Sequence, residues 1–164
     1  MQVRIADAGD VAGIVDVHLR SSAAAYAALP PAVMAVSPET RRLQWADALE
    51  SDGSRVWVAL DAGATVGFCH LRFLPSPPHP VPAAEISSLY IDPPWWGRGV
   101  GRRLVAVARH AAEEAGCRRL MLQVYEANTR ARAAYAALGF AAEPGTVVHL
   151  RSGLPLMIYG MDLT

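Results

Sequence analysis

Three alternating glycines, Gly97, Gly99 and Gly101, mark the segment of the sequence that is most typical of ligand chemistry. They follow an apolar stretch that predicts a strand, and they open a stretch that predicts a helix. A loop of this kind can direct successive backbone N–H groups into one concavity, to which the helix N-terminus adds partial positive charge. Because Arg98 and Arg102 add mobile positive charge around the loop, the segment predicts a binding site for a pyrophosphate.

The spacing of these glycines narrows the class of phosphate ligand. A dinucleotide-binding fingerprint requires glycine at the sixth position of Gly-x-Gly-x-x-Gly. That position is Arg102 when counted from Gly97, and Leu104 when counted from Gly99. A P-loop is excluded as well, because all 15 basic residues are arginine and the loop's lysine has no counterpart. A structural turn that binds no ligand is the alternative that the loop alone leaves open.

The composition predicts one folded domain over residues 1–164. Apolar residues make up 52% of the chain and charged residues 18%, a balance that argues against disorder. The 15 basic and 15 acidic residues cancel, which disfavours binding to nucleic acid or to an anionic membrane. No signal peptide is visible, and Pro30 and Pro31 interrupt the longest uncharged stretch, so we expect a cytoplasmic protein without a membrane span.

Several cofactor classes are excluded by residues that the chain lacks. Without lysine, it cannot form the Schiff base on which pyridoxal phosphate enzymes depend. Its two cysteines, Cys69 and Cys117, do not form a CxxC zinc motif. The five histidines are scattered, and no two of them have metal-ligand spacing on one predicted element. The sequence therefore predicts a protein without a metal site.

The order of the predicted elements places the glycine loop in the middle of a mixed sheet. Helix starts are indicated by Asp7 and Ser37, and residues 23–36 predict a helix that breaks at two prolines. The predicted elements are a strand at 2–5, a helix from residue 7, a helix at 37–50, strands at 55–60, 65–74 and 84–91, a helix at 100–115, a strand at 119–125, a helix at 129–138, and strands at 147–150 and 156–163. Five prolines predict an irregular loop at 75–82. This order predicts an α/β fold, of the α+β type, with a mixed sheet and helices on both faces.

The residues around the loop resemble the acyl-CoA-binding signature of the GNAT superfamily of N-acetyltransferases. The resemblance rests on Leu89-Tyr90-Ile91-Asp92-Pro93 and Gly97-Arg98-Gly99-Val100-Gly101, and further along on Asn128, Ala134-Tyr135 and Leu138-Gly139-Phe140. The predicted element order also resembles the family fold over nearly the whole chain. The resemblance implies central strands that splay around acyl-CoA. It also implies transfer of acetyl from the co-substrate acetyl-CoA to a small primary amine, by direct attack in a ternary complex.

The resemblance also implies a role for each matching position. The residues that it assigns to acyl-CoA are Leu89, Tyr90, Ile91, Gly97, Arg98, Gly99, Val100, Gly101, Arg102 and Asn128. Leu89 and Ile91 would present backbone groups to the pantetheine arm, and residues 97–102 would wrap the pyrophosphate. Asn128 would contact the pantetheine or stabilise the splayed strand ends. Tyr135 would act as the general acid that protonates the leaving thiolate.

Two positions depart from the family pattern. Trp96 stands where relatives have Gln or Arg, so one side-chain donor to the phosphates is lost. Gln123 stands where relatives that acetylate protein N-termini often carry a glutamate base, which makes a peptide N-terminus a less favoured acceptor. The backbone donors of the implied acyl-CoA site do not depend on either position.

An acceptor amine must lose a proton before it attacks, since an alkylammonium of the lysine type has a pKa of about 10. Glu85 is the candidate base, because it lies on the strand that leads into Leu89 and could act through a water. Asp92 is a rival, although it precedes Pro93 and is better placed to stabilise the turn. Water without any dedicated base is the third alternative.

The acceptor is expected opposite the acyl-CoA, where Tyr26, His79 and Tyr159 are the candidate binding residues. No acidic cluster suited to a polycation is apparent, which favours a small amine or an amino-acid-like acceptor. A protein or peptide acceptor is one alternative function. A catalytically silent acyl-CoA-binding module is another. A homodimer that pairs through the final hairpin is a further hypothesis.

Overall fold

The computed structural model describes residues 1–34, 36–76 and 79–164, and seven segments of these ranges form one sheet. In chain order the elements are β1 (Gln2–Ile5), α1 (Val11–Ala25), α2 (Pro38–Glu50), β2 (Ser54–Asp61), β3 (Ala64–Leu74), β4 (Ala83–Ile91), α3 (Val100–Glu114), β5 (Arg119–Tyr125), α4 (Thr129–Ala137), β6 (Ala141–Val148) and β7 (Pro155–Asp162). The strand order is β1-β2-β3-β4-β5-β7-β6. β4 and β5 pair in parallel, and the other neighbours pair antiparallel. The predicted mixed sheet and element order are confirmed.

Two hydrophobic cores, one on each face of the sheet, hold the helices in place. On the first face, Ile14 of α1 and Trp45 of α2 belong to the same buried cluster as Phe68 of β3. On the second face, Leu104 of α3 is buried in one cluster with Leu120 of β5, and α4 packs against this cluster. Phe68 is 0% exposed, and full burial of such a side chain contributes about 1.5–3 kcal/mol. The two clusters therefore fix the helices on both sides of the central strands.

The helix starts agree with the sequence at Ser37 and differ at Asp7. The hydroxyl of Ser37 accepts a hydrogen bond from the backbone N–H three residues later, at 3.1 Å, and caps α2. Asp7 caps a short 3₁₀ turn, Ala8–Asp10, and only then does α1 begin. The turn arises because the Asp10 carboxylate is held back by Arg4 at 2.7 Å and by the Asp7 backbone N–H at 2.8 Å.

The two central strands separate half-way along β4. Their last paired residues are Ile86 and Leu122. At the same point, β4 contains a bulge that leaves Ser87 without a partner on β3, and a bulge bends the strand that carries it. β4 then continues along β3 to Ile91, while β5 continues along β7 to Tyr125. The result is an open wedge between β4 and β5 in the middle of the sheet.

The first strand of the final hairpin begins earlier than the sequence predicts. β6 runs from Ala141 to Val148, whereas the prediction was 147–150. β6 lies at the edge of the sheet, and its residues are exposed apart from one, so it lacks the alternation that identifies a strand. Pro144 lies inside it, as edge strands tolerate, and its pairing with β7 shifts register around this position.

Two predicted features fall partly outside the described residues. The 75–82 loop includes residues 77–78, and the 23–36 segment includes residue 35, none of which is described. The helix break that was expected in the second segment is present, because α1 ends before a separate 3₁₀ turn at Pro31–Met34. Within the described ranges, no helix combines the length and the apolar character that a membrane span requires.

Candidate active site

The open side of β4 supplies the first part of a binding site. Beyond Ile86, alternate backbone N–H and C=O groups of β4 point toward the wedge instead of toward a partner strand. Leu89 and Ile91 lie in this stretch and pack against the second face, while Tyr90 packs against the first. The structure thus places all three predicted residues along the wedge, but only Leu89 and Ile91 direct backbone groups into it, because the backbone groups of Tyr90 face β3.

The glycine loop forms a cradle at the N-terminus of α3. Gly97 and Gly99 have φ angles of +75° and +80°, a conformation that favours glycine. A Cβ added at Gly97, Gly99 or Gly101 would meet no atom within 4 Å, so the space above the loop is open. Gly99 caps α3, and the N–H groups of the next three residues, which end at Arg102, have no acceptor within the helix. Open space, free donors and the positive end of a helix fit a pyrophosphate.

Two tryptophans tie this cradle to the sheet and hold arginines beside it. The indole N–H of Trp96 donates to the carbonyl oxygen of Ile91 at 2.7 Å. The guanidinium carbon of Arg130 lies 3.7 Å from the centre of the Trp96 ring, and that of Arg98 lies 5.3 Å from the Trp95 ring. Trp96, which departs from the family pattern, therefore positions a cation from α4 near the loop. Sequence reasoning missed Arg130, because only the docking of α4 brings it there.

Asn128 has a structural task in addition to its predicted one. Its side-chain oxygen accepts a hydrogen bond from the backbone N–H of Ala131 at 3.1 Å and caps α4. No described residue accepts a hydrogen bond from its side-chain nitrogen. The cap holds the start of α4 next to the end of β5 and leaves the nitrogen without a partner among the described residues.

Tyr135 lies on α4 and faces the wedge from the side of β5. Its ring centre is 6.1 Å from that of Phe140 and 6.4 Å from that of Tyr159. Burial raises the pKa of its phenol above the ordinary range, and the nearby Tyr90 hydroxyl and Cys69 thiol raise this pKa further. The phenol therefore keeps its proton at neutral pH, which a proton donor requires.

All five tyrosines of the chain gather around the wedge. Tyr26 and Tyr125 have ring centres 5.3 Å apart in an edge-to-face arrangement. Burial raises the pKa of Tyr26, and Tyr90, Tyr135 and Tyr125 contribute to the increase. Tyr159 joins the group through its contact with Tyr135. The residues come from the C-terminal end of α1, from α4 and from three strands, so this gathering could not be predicted from their spacing in the sequence.

Two histidines, His18 buried and His70 partly buried, line the first-face side of the wedge. His18 stacks on Tyr90, with ring centres 4.3 Å apart, and its Nδ1 accepts a hydrogen bond from Trp45 at 3.2 Å. His70 pairs its Nδ1 with the Ser87 hydroxyl at 2.8 Å, and its Nε2 is buried with no partner among the described residues. Burial lowers the pKa of His18 to about 3 and the pKa of His70 to about 4. Both rings are neutral at physiological pH.

Acidification from about pH 7 to about pH 5 is expected to lower the free energy of unfolding. The unfolded chain binds protons near the ordinary histidine pKa of 6.5, whereas His18 and His70 resist protonation in the fold. Each histidine then accounts for a loss of about 2 kcal/mol at about pH 5. Urea unfolding of the wild type and of His70→Gln at both pH values measures this decrease in the free energy of unfolding. The variant should lose about half as much stability, and an equal loss would contradict the prediction.

The remaining predicted residues lie at the edges of this arrangement. Glu85 precedes the bulge on β4, and its carboxylate is 3.8 Å from Arg72 of β3. His79 lies in the proline-rich loop, where its carbonyl accepts a hydrogen bond from Ser76 at 2.6 Å. Tyr159 is 6% exposed and belongs to the second-face core, with its hydroxyl 3.4 Å from Arg132. The structure thus brings Tyr26, but neither of the other two acceptor candidates, to the first-face side of the wedge.

The comparisons with known proteins agree with this geometry. Residues 21–140 match the model of the acetyltransferase (GNAT) family. The aminoglycoside N(6′)-acetyltransferase type 1 of Stenotrophomonas maltophilia is 32% identical over 108 residues, which make up 64% of this chain and 70% of that protein.

Two solved structures share the fold over nearly their whole length. The PaiA N-acetyltransferase of Thermoplasma acidophilum, in complex with coenzyme A, has a TM-score of 0.76 at 18% identity and covers 96% of this chain and 98% of its own. A Salmonella typhimurium protein, solved with acetyl-CoA, has a TM-score of 0.73 at 22% identity and covers 100% of this chain and 94% of its own. The resemblance read from the glycine loop is confirmed: the chain belongs to the acetyltransferase (GNAT) family and is an N-acetyltransferase.

Proposed function

We propose that the protein transfers the acetyl group of acetyl-CoA to the primary amine of a small molecule, by direct attack within a ternary complex. The observation that carries this proposal is the wedge between β4 and β5. The glycine cradle opens on its second-face side, and a group of tyrosines and histidines lies on its first-face side. A donor held by the cradle and an acceptor held among the aromatic residues would meet in the wedge.

The relatives support both halves of the proposal. The Thermoplasma and Salmonella structures contain coenzyme A and acetyl-CoA, respectively. The Stenotrophomonas relative is named for the acetylation of an aminoglycoside, which is a small molecule with primary amines. Acetyl-CoA would supply the acetyl group as a thioester. The open space over Gly97, Gly99 and Gly101 and the first-turn N–H groups of α3 would hold its pyrophosphate.

Two groups of the chain would assist the transfer. A backbone N–H on the open side of β4 would donate a hydrogen bond to the thioester carbonyl oxygen and stabilise the negative charge that develops there. Tyr135, which burial keeps protonated, would donate its proton to the departing sulfur as general acid. Proximity of the amine to the carbonyl carbon would supply much of the remaining acceleration.

Glu85 is the proposed base, and it would act through a water. Glu85 is still paired on both sides, and it lies before the bulge at which β4 opens. A bridging water is therefore needed between its carboxylate and the open part of β4. Asp92, the rival, forms an ion pair with Arg20 at 2.9 Å, which supports a structural task at the turn after β4. The alternative is that water alone removes the proton, and a Glu85→Gln variant distinguishes the two mechanisms.

Glu85→Gln is expected to lower kcat by about tenfold at neutral pH and to leave the affinity for acetyl-CoA unchanged, because only proton removal from the amine is impaired. The matched control is Arg72→Gln, which removes the cation at 3.8 Å but keeps the carboxylate. Steady-state thiol release over a pH series gives both values. A wild-type rate for Glu85→Gln would assign proton removal to water alone.

The function itself is tested in two steps. Calorimetry with acetyl-CoA, with NAD and ATP as controls, should show selective micromolar-range binding. Thiol release in the presence of a panel of primary amines should then depend on both substrates. Selective binding without turnover of any amine, peptide or protein would identify an acyl-CoA-binding module instead. No binding of acetyl-CoA would contradict the proposed function.

A further inference from the structure

Arg41 lies at the first-face side of the wedge as a cation that no carboxylate of the described residues neutralises. It is half-buried on α2, and its Nε is buried with no hydrogen-bond partner among the described residues. Its contact with the Gln44 side chain is long, at 3.4 Å. An arginine has five N–H donors, and leaving a buried charged group without partners is costly. A fold tolerates such a group more readily where a ligand supplies the missing acceptor.

The helix geometry directs Arg41 toward the site. Arg41 precedes Trp45 by four residues, so the two side chains share one face of α2. Trp45 is 5% exposed, donates to His18, and has its ring centre 5.5 Å from that of His70. Arg41 thus lies one turn closer to the N-terminus of α2 than Trp45. Both residues are on the face of the helix that packs on the wedge. Burial lowers the pKa of Arg41, and the nearby phenols of Tyr90 and Tyr26 oppose this decrease.

A second arginine is held near the same place by the turn between β6 and β7. The Ser152 hydroxyl and His149 Nδ1 form a hydrogen bond of 2.9 Å, and the His149 ring packs against the Tyr125 ring with centres 5.5 Å apart. These contacts dock the turn that carries Arg151 beside the tyrosine group. The positive charge of Arg151 and burial lower the pKa of Arg41, burial being the larger cause.

The carboxylates of the region do not compensate these charges. In the part of the chain that the structure describes, neither Arg41 nor Arg151 forms an ion pair with Asp or Glu. Glu126 lines a cavity of about 260 Å³ beside Tyr125 and pairs with neither of them. Two cations without a counter-ion repel each other and any polycationic acceptor, and they attract an anion.

We propose that Arg41, with Arg151 at the rim, binds an anionic group on the acceptor, so that the preferred acceptor is an amine that also carries a carboxylate or a similar acid. The planar guanidinium of Arg41 can give two parallel hydrogen bonds to a carboxylate. Tyr90, which stacks on His18, and Tyr26, which packs on Tyr125, lie on the same side of the wedge and would help to shield this pair from water. The inference rests on the proposed function and specifies the acceptor that its site selects, in contrast to the polycationic aminoglycoside for which the Stenotrophomonas relative is named.

The test compares acceptors that differ only in the acid. Wild-type protein is assayed by thiol release with the common L-amino acids, with their carboxamides, and with the polycation kanamycin. We expect kcat/KM for at least one amino acid to exceed that for its carboxamide by tenfold or more. Turnover of kanamycin or of the carboxamides without preference for the acids would overturn the inference and leave the proposed function intact. Acetyl-CoA binding with turnover of no member of this panel would overturn the inference, and the proposed function would be overturned as well only if no other primary amine were acetylated.

Variants on α2 assign the preference to Arg41. Arg41→Gln is expected to raise KM for the acid by about 10–100-fold with little change in kcat, to leave the carboxamide unaffected, and to preserve the affinity for acetyl-CoA. Arg41→Lys should restore part of the preference, because it keeps the charge. The matched control is Arg42→Gln on the same helix, whose arginine is exposed and pairs with Glu39 at 3.6 Å. Equal effects of Arg41→Gln on acid and carboxamide, or equal effects of the two glutamine variants, would overturn the inference.

Discussion

Replacement of Tyr135 by phenylalanine is expected to lower kcat by about 10²–10⁴-fold, the usual contribution of a positioned general acid. The substitution removes only the phenolic oxygen, and no described residue is hydrogen-bonded to that oxygen. The ring keeps its contacts with Phe140 and Tyr159. Steady-state thiol release with a reactive amine acceptor measures kcat, and calorimetry measures the affinity for acetyl-CoA, which should not change.

The same variant separates a chemical role of Tyr135 from a packing role. If the tyrosine only fills space in the core, Tyr135→Phe will retain wild-type turnover. If it shapes the site, the affinity for acetyl-CoA and the melting temperature will fall together with kcat. Loss of kcat at unchanged affinity and unchanged melting temperature is the result that supports proton donation.

Gly99→Ala is expected to weaken acetyl-CoA binding by about 100-fold, or about 2.8 kcal/mol. The added Cβ enters the open space above the loop. The φ of +80° also disfavours any residue with a Cβ, so the loop will tend to turn its N–H groups away. Calorimetric titration with acetyl-CoA gives the change in affinity, and urea unfolding gives the change in stability.

The chain contains a matched control for this substitution at the other end of α3. Gly116 has a φ of +76°, and a Cβ there would also meet no atom within 4 Å. Gly116→Ala should therefore lose about as much stability as Gly99→Ala, about 1–2 kcal/mol, through backbone strain alone. Its affinity for acetyl-CoA should stay at the wild-type value. Equal weakening of binding in both variants would show that strain in α3, and not the cradle, sets the affinity.

The elements with strong local signals are the ones that the sequence predicted well. Ser37 marks the start of α2 through its side-chain cap, and β5 has the predicted bounds of Arg119–Tyr125 because its residues are apolar except for Arg119 and Gln123. β6 was predicted too short, because an exposed edge strand with a proline carries no periodic pattern. An element was thus predicted accurately where its own residues form a strong local pattern.

The candidate site divides in the same way. The glycine cradle lies within a few residues of chain, so its spacing and the turn it requires were visible before folding. The acceptor side has no such continuity. Tyr26 was expected there, whereas His18, Arg41 and His70 come from three elements and were not recognised. The only local signal for Arg41 is its spacing of four residues from Trp45, which acquires meaning once the buried face of α2 is known.

The sequence by itself determined the class of fold and the glycine turn on which the proposed phosphate site depends, because hydrophobic periodicity, helix caps and glycine conformations act over short distances. The tertiary structure alone decided where β4 leaves β5, that Trp96 holds Arg130 beside the cradle, and that the buried Nε of Arg41 has no partner among the residues that the structure describes. These features depend on contacts between residues far apart in the chain. Burial, which changes the pKa of a group and the value of its hydrogen bonds, exists only after the two faces of the sheet are covered.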